Sequence, residues 1–359
     1  MTLSEGTGLK APAQPGPEPA LPGGRKRPWA GESGESVTRN LVLVGVLAAL
    51  IVIGAITQPE LYGNSTWVWT NVLSILQLAS VVGVVTVGMT FVIIGGGIDL
   101  SVGAIVALAG VWSTTLATQS YGAAGMIFTA IVVGVAVGLV NGVLISYGRL
   151  VPFIATLAML VAARGLAAAI SGKQTQISSN TFINGIASTK ILGIPVLVYI
   201  LGAVAVAGWI LLNRTTFGRR TVAVGGNPEA ARLAGINVKR HTMFLYGLSG
   251  LCCGIAAVML TSQATSAQAA MGNLYELDAI AAAIIGGTLL SGGRGTIVGS
   301  ILGVLIFATI TNLFAINGLS TEAQNMVKGG IIVAAVLVQQ FRFKSVTQFF
   351  ARNRITSST

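Results

Sequence analysis

Long apolar stretches separated by short polar breaks run from Leu41 to Phe341, and the spacing of the breaks sets the architecture. Crossing about 30 Å of hydrocarbon takes roughly 20 residues of helix, because every backbone N–H and C=O must be satisfied within the span. Ten stretches meet or approach that length, at 41–57, 70–94, 98–118, 124–146, 151–171, 195–213, 241–262, 278–291, 296–315 and 326–341, the eighth being short. The pattern predicts an all-α polytopic bundle of about ten transmembrane helices. Its largest interruption is Arg214 to Arg240, RTTFGRRTVAVGGNPEAARLAGINVKR, a polar and basic island whose centre, Asn227 to Gly235, predicts one short amphipathic helix. Such an island between apolar blocks reads as a docking device.

Composition fixes the class. Of 359 residues, 53% are hydrophobic and 9% charged, with mean hydropathy +0.82, more apolar surface than a soluble domain of this size can hide. The net charge of +11 therefore has to be read by location. With the N-terminus inside, the ten-span order puts 17 of the 21 Lys and Arg on the cytoplasmic side, leaving Arg164, Lys173, Lys190 and Lys328 elsewhere. Both termini and the island are then cytoplasmic. Residues 1–40 hold six of the ten prolines and few large apolar side chains, which predicts a disordered cytoplasmic tail. Residues 342–359 predict a second, basic cytoplasmic tail. Cys252 and Cys253 adjoin inside an apolar run and offer neither a disulfide framework nor metal-ligand spacing.

Two kinds of position inside the spans stand out. Gly134, Gly138 and Gly142 recur every four residues, as do Gly295, Gly299 and Gly303, and stripes of this kind let helix backbones approach closely in lipid. Ile94 to Gly103, IGGGIDLSVG, breaks an otherwise continuous apolar run, and Ile285 to Ser291, IGGTLLS, partly echoes it. Asp99 is either a helix N-cap for the third span or a group on a solute path. Asn71, Gln77, Asn141, Thr156 and Asn312 are candidates to hydrogen-bond a neutral polar solute, and Phe91, Phe153 and Trp112 offer flat apolar faces. Interhelical bonding and aromatic packing account for the same residues. Arg164 interrupts the fifth span, and Glu276 and Asp278 fall near the outer start of the eighth.

Several chemistries are excluded. There is no phosphate-binding loop, and its nearest fragment, Ser171-Gly172-Lys173-Gln174, lacks the upstream glycine and the hydroxyl after Lys, so ATP hydrolysis is not expected of this chain. A single histidine, His241, rules out a histidine-based triad or metal cluster. No catalytic or metal-ligating residue is expected.

Three segments carry a family resemblance: AVGGNPEAARLAGINVKR (Ala223–Arg240), GGGIDLSVGAIVALAG (Gly95–Gly110) and YELDAIAAAIIGGTLLSGGR (Tyr275–Arg294). Together they resemble the membrane permeases of bacterial ABC sugar importers, nearest to the ribose, xylose, arabinose and galactofuranose class, over about Leu41 to Phe341. The resemblance implies a vitamin-B12-importer-like (type II) bundle in the bacterial cytoplasmic (inner) membrane. It also implies a second permease subunit, a cytoplasmic ATPase that uses ATP and Mg, an external sugar-binding protein, and no cofactor on this chain. The family's coupling-helix motif falls on Gly226, Asn227, Glu229, Ala230, Ala231 and Gly235. Independently, Asn227 suits a helix N-cap, Pro228 a first turn, Ala230 and Ala231 close approach, and Gly235 a helix end. The main rival is an ion- or proton-coupled secondary transporter using Asp99, and a channel-forming or structural membrane protein is the second.

Overall fold

The computed structural model describes the backbone of residues 29–337 and the side chains of residues 37–337. The chain divides after Val37 into two units, and the second, from Thr38, holds the bundle. The predicted C-terminal tail lies outside the described residues, as does the N-terminal one up to residue 28. Residues 29–40 are helical and belong to the start of the first helix.

In chain order the helices are α1 (Trp29–Thr57), α2 (Pro59–Tyr62), α3 (Ser65–Ile94), α4 (Val102–Ser113), α5 (Leu116–Gln119), α6 (Gly122–Ser146) and α7 (Pro152–Ile170). There follow α8 (Thr181–Ser188), α9 (Val196–Arg214), α10 (Thr216–Gly226), α11 (Pro228–Leu233), α12 (Val238–Ala264), α13 (Tyr275–Ile285) and α14 (Ile297–Ile316). Residues 321–337 are also helical. Two short antiparallel ribbons pair β1 (Gln176–Ile177) with β4 (Ser266–Ala267), and β2 (Lys190–Ile191) with β3 (Ile194–Pro195).

Seven helices among the described residues are long and apolar enough to cross a membrane: the Val37–Thr57 part of α1, then α3, α6, α7, α9, α12 and α14. The stretches predicted as third and eighth spans are shorter. α4 has 12 residues and α13 has 11, about 18 and 16 Å at 1.5 Å per residue, well short of the hydrocarbon thickness. At 278–291 hydropathy runs on through Gly286 and Gly287, where α13 ends; at 98–118 it takes in the Asp99–Ser101 turn before α4 and the break at Thr114 and Thr115 after it. α3 and α13 end in the same Schellman geometry, with Gly96 and Gly287 both at φ +85°. Gly97 N–H donates to Val92 C=O and Thr288 N–H to Ala283 C=O, both at 2.9 Å, so the sequence echo between the two stretches is also a structural one.

Five of the six stripe glycines are backbone contacts; the sixth, Gly295, precedes α14, and a Cβ there would meet the Ile94 and Thr288 side chains. A Cβ at Gly134, Gly138 or Gly142 of α6 would meet α12 at the Gly250 carbonyl, the Tyr246 carbonyl or the Met243 backbone. α14 approaches α13 in the same way, Gly299 against Gly286 and Gly303 against the Ala282 carbonyl. Around these contacts the buried core draws on α3, α4, α12 and α13, with Met89, Ile93, Ile105, Cys252, Cys253 and Met259 at its centre.

The helix termini gather into two ends. At one, the Arg39 guanidinium donates to the Gly287 carbonyl and Thr296 Oγ1, and Thr221 Oγ1 pairs with His241 Nε2 at 2.9 Å. At the other, Gln58 Nε2 donates to Asn317 Oδ1 at 3.2 Å, Gln119 Nε2 to the Ile177 carbonyl at 3.1 Å, and β1 pairs with β4.

Candidate functional site

The polar island folds as two helices set against the bundle. Thr215 starts α10 by accepting from Gly218 N–H at 3.4 Å, and Gly218, Thr221 and Val224 turn one face inward at intervals of three residues. The His241 ring bonds Thr221 and lies 4.7 Å from the Phe217 ring, so it bridges α10 to α12. Gly225 reaches the α3 C-terminus so closely that its Cβ, if present, would fall on the Ile94 carbonyl.

α11 stands beyond α10, separated from it by Asn227 alone. The Asn227 side chain accepts from Glu229 N–H at 3.1 Å and Ala230 N–H at 2.9 Å, Pro228 occupies the first turn, and Gly235 at φ +84° ends the helix. Ile236 N–H donates to the Ala231 carbonyl at 3.0 Å, closing the end as a Schellman motif should. Arg232 grips Glu229 with two bonds, Nη2 to Oε1 at 2.5 Å and Nε to Oε2 at 3.2 Å, and holds that carboxyl below its usual range. Six motif residues were expected here, and five are exposed: Gly226, Asn227, Glu229, Ala230 and Gly235. Ala231 is 4% exposed and packs inward, because a six-residue helix seated on the bundle must turn one face to it. Leu233 was missed. At 76% exposure it is a large apolar side chain left in water on a short surface helix, and its being the one large apolar residue between Pro228 and Gly235 was the signal in the sequence.

Of the candidates inside the bundle, Asp99, Asn141 and Thr156 meet around the 95–101 turn, and the others lie apart from it. Asp99 is fully enclosed: Oδ1 accepts from Ser101 N–H at 3.0 Å and Ser101 Oγ at 2.5 Å, and Oδ2 from Ser249 Oγ at 3.1 Å. Asn141 Nδ2 donates to Ser101 Oγ at 2.8 Å, so one network ties the 95–101 turn to α6 and α12. Thr156 Oγ1 donates to the Pro152 carbonyl at 2.9 Å and, at 3.4 Å, to Ile98. Phe91 sits in a core cluster with Leu212, Leu245 and Ile297. Asn71 is buried on α3, Gln77 is part-exposed there, and Phe153 is 52% exposed on α7. Arg164 donates to the Ala269 and Met271 carbonyls at 2.6 and 2.7 Å, while Asp278 pairs with Lys328 at 3.3 Å.

An open recess of about 200 Å³ at the opposite end is lined by Leu260, Ala264, Ser266, Gln268, Met271, Gly272 and Tyr275, none of them a sequence candidate. Among the described residues no group of three or more His, Cys, Asp or Glu could hold a metal ion.

Comparison with known proteins decides the family. The model of the branched-chain amino acid transport system / permease component matches residues 71–336. The ribose import permease protein RbsC of Bacillus subtilis (strain 168) is 41% identical over 310 residues, covering 82% of this chain and 90% of the relative. The chain belongs to the permease family of ABC importers. RbsC of Escherichia coli (strain K12) is 39% identical over 296 residues, covering 81% of this chain and 92% of its own. The L-arabinose ABC transporter permease protein AraH of Azospirillum brasilense is 39% identical over 275 residues, covering 76% and 80%. No solved structure matches. With seven spanning helices and this family, the permease is a multi-pass protein of the bacterial inner membrane.

Proposed function

We propose that this permease is the membrane subunit of an ATP-driven, binding-protein-dependent importer of a monosaccharide of the pentose or a related class. One observation carries the reading: a small capped helix, α11, stands exposed at the edge of an otherwise apolar chain and ends in the exposed Leu233. The ribose and arabinose permeases among its relatives support the substrate class. The island end faces the cytoplasm on this reading, since Arg39, Arg149, Arg214, Arg219, Arg220, Arg232, Lys239, Arg240 and Arg294 all belong to it.

The finer architecture belongs to the same proposal. The seven full spans, the half-length α4 and α13, and the helix at 321–337 together make ten membrane segments of the type II kind, with both termini inside. A partner ATPase uses ATP and Mg, and this chain binds no cofactor and does no catalysis. A second permease copy or a close relative completes the pore, and an external sugar-binding protein delivers the solute. Of the nine pathway candidates, Phe153 at 52% and Trp112 at 41% are exposed and Gln77 is part-exposed on a single copy, and we assign these three to the route. A neutral sugar needs no buried counter-charge, which fits the scarcity of ionisable groups in the spans.

ATP binding that closes the ATPase pair moves whatever each half grips, and the bundle is biased between inward-open and outward-open states by that differential contact. The test uses the complex co-expressed with its ATPase and binding protein, reconstituted in vesicles. Uptake of labelled ribose or arabinose should require ATP and the binding protein and should survive collapse of ion gradients. Uptake that follows a proton gradient without the ATPase would overturn the proposal. Ala230→Trp and Leu233→Asp should insert normally yet lower ATP-driven uptake to the ATP-free background. Ala231→Trp should instead act on folding, because that side chain points into its own protomer.

A further inference from the structure

Glycines from three segments far apart in sequence meet at one point beneath α11. Gly225 and Gly226 end α10, Gly95 and Gly96 follow α3, and Gly292 and Gly293 lie in the turn between α13 and α14. A Cβ at Gly225 would fall on the Ile94 carbonyl and reach the Gly293 amide. One at Gly292 would meet the Gly225 carbonyl at 2.7 Å and Gly96 Cα at 3.0 Å, and one at Gly293 would meet Gly226 Cα at 2.9 Å. Gly96, Gly292 and Gly293 also sit at φ +85°, +82° and +76°, a backbone region that other residues rarely adopt. The contact is bonded as well as packed. Gly293 N–H donates to the Ile94 carbonyl at 2.8 Å, satisfying an acceptor that the end of α3 would otherwise leave open.

We propose that this glycine knot is the mechanical junction through which α11 drives the two interrupted helices of the bundle, and the proposal rests on the ATPase-docking reading above. The geometry favours this route. Only Asn227 separates α11 from α10, and α10 is braced against α12 by the Thr221–His241 pair, so a push on α11 arrives at Gly225 with little slack. From Gly225 it meets both turns at once: the 95–101 turn, which leads through Ser101 into α4, and the 286–296 turn, which joins α13 to α14. Both turns follow helices closed by the same Schellman geometry. Backbone touching backbone transmits displacement without the give of a side chain. Gly225 and Gly293 are therefore positioning residues for transport and have no contact with solute.

The experiment uses the whole reconstituted complex. Gly225→Ala should still co-purify with the ATPase and hydrolyse ATP while losing sugar uptake. Gly202→Ala, in α9 where an added Cβ meets nothing within 4 Å, should keep both activities. Wild-type uptake by Gly225→Ala overturns the junction and leaves the docking reading intact. Hydrogen–deuterium exchange on the wild-type complex, with and without a non-hydrolysable ATP analogue, gives a second reading that needs no variant to fold. Exchange in 95–101 and 288–296 should shift together with exchange in 223–235. A shift confined to 223–235 overturns the junction alone. No shift in 223–235, or a wild-type permease that does not bind the ATPase, removes the docking reading and this proposal with it.

Discussion

Gly138→Val should destabilise the permease by about 3 kcal/mol, near the top of the range for overpacking a filled interface. Gly138 of α6 faces α12 so closely that even one methyl would meet the Tyr246 carbonyl and approach Gly250 Cα at 3.1 Å. Relief cannot come from a rotamer change, because the obstructing atoms are backbone. Separating the helices would in turn undo the neighbouring contacts at Gly134 and Gly142. In lipid the loss is not offset by water exclusion, since helix association there depends on packing itself. Thermal unfolding of the detergent-extracted protein reads the effect as a lowered Tm. Gly165→Ala is the matched comparison: its Cβ meets nothing within 4 Å, and the change should be neutral or stabilising by up to about 1 kcal/mol through helix propensity. Equal loss in both variants would dismiss the close-contact argument.

Asp99→Ala and Asp99→Asn should part company. Alanine removes the acceptor for Ser101 N–H, Ser101 Oγ and Ser249 Oγ together, inside a site with no exposure, and should cost about 3 kcal/mol. Asparagine keeps one oxygen for Ser101, and its amide can donate to Ser249 Oγ once that hydroxyl turns. It should stay within about 1 kcal/mol of wild type and retain ATP-driven uptake. A carrier whose coupling proton rode on Asp99 would lose transport in the Asn variant with folding intact. The pair of variants, scored by Tm and by uptake in the same vesicles, therefore separates the importer from its proton-coupled rival.

Much of the bundle was legible in the chain. Seven of the ten apolar stretches became full-length spans within a few residues, because a helix in lipid needs length and hydropathy above all. The glycine stripes were legible for a related reason: spacing by four puts Gly134, Gly138 and Gly142, and likewise Gly299 and Gly303, on one helical face whatever they touch, while Gly295 lies ahead of α14. Hydropathy overreached at 98–118 and 278–291. At 278–291 it averages over Gly287, whose positive φ ends α13; at 98–118 it averages over the Asp99–Ser101 turn, and Thr115 then opens a new short helix by accepting from Thr118 N–H.

At the island the caps were readable and the orientation was not. Asn227, Pro228 and Gly235 act locally, through bonds between residues two to five positions apart, so the sequence is enough to place them. Which alanine faces out depends on where the bundle lies, and that is set by α10 packing on α3 and α12. Ala230 and Ala231 are alike as residue types but differ in surroundings.

The amino-acid order by itself determined a membrane protein, its main spans, the faces on which α6 and α14 contact their neighbours, and the start and stop of α11. All of these follow from short-range periodicity and the solvent. Only the tertiary structure decided that Asp99 is sealed in a serine network, that Leu233 stands free, and that Gly96, Gly225 and Gly292 touch. The last of these joins segments up to 196 residues apart, and no local rule brings such distant backbone together.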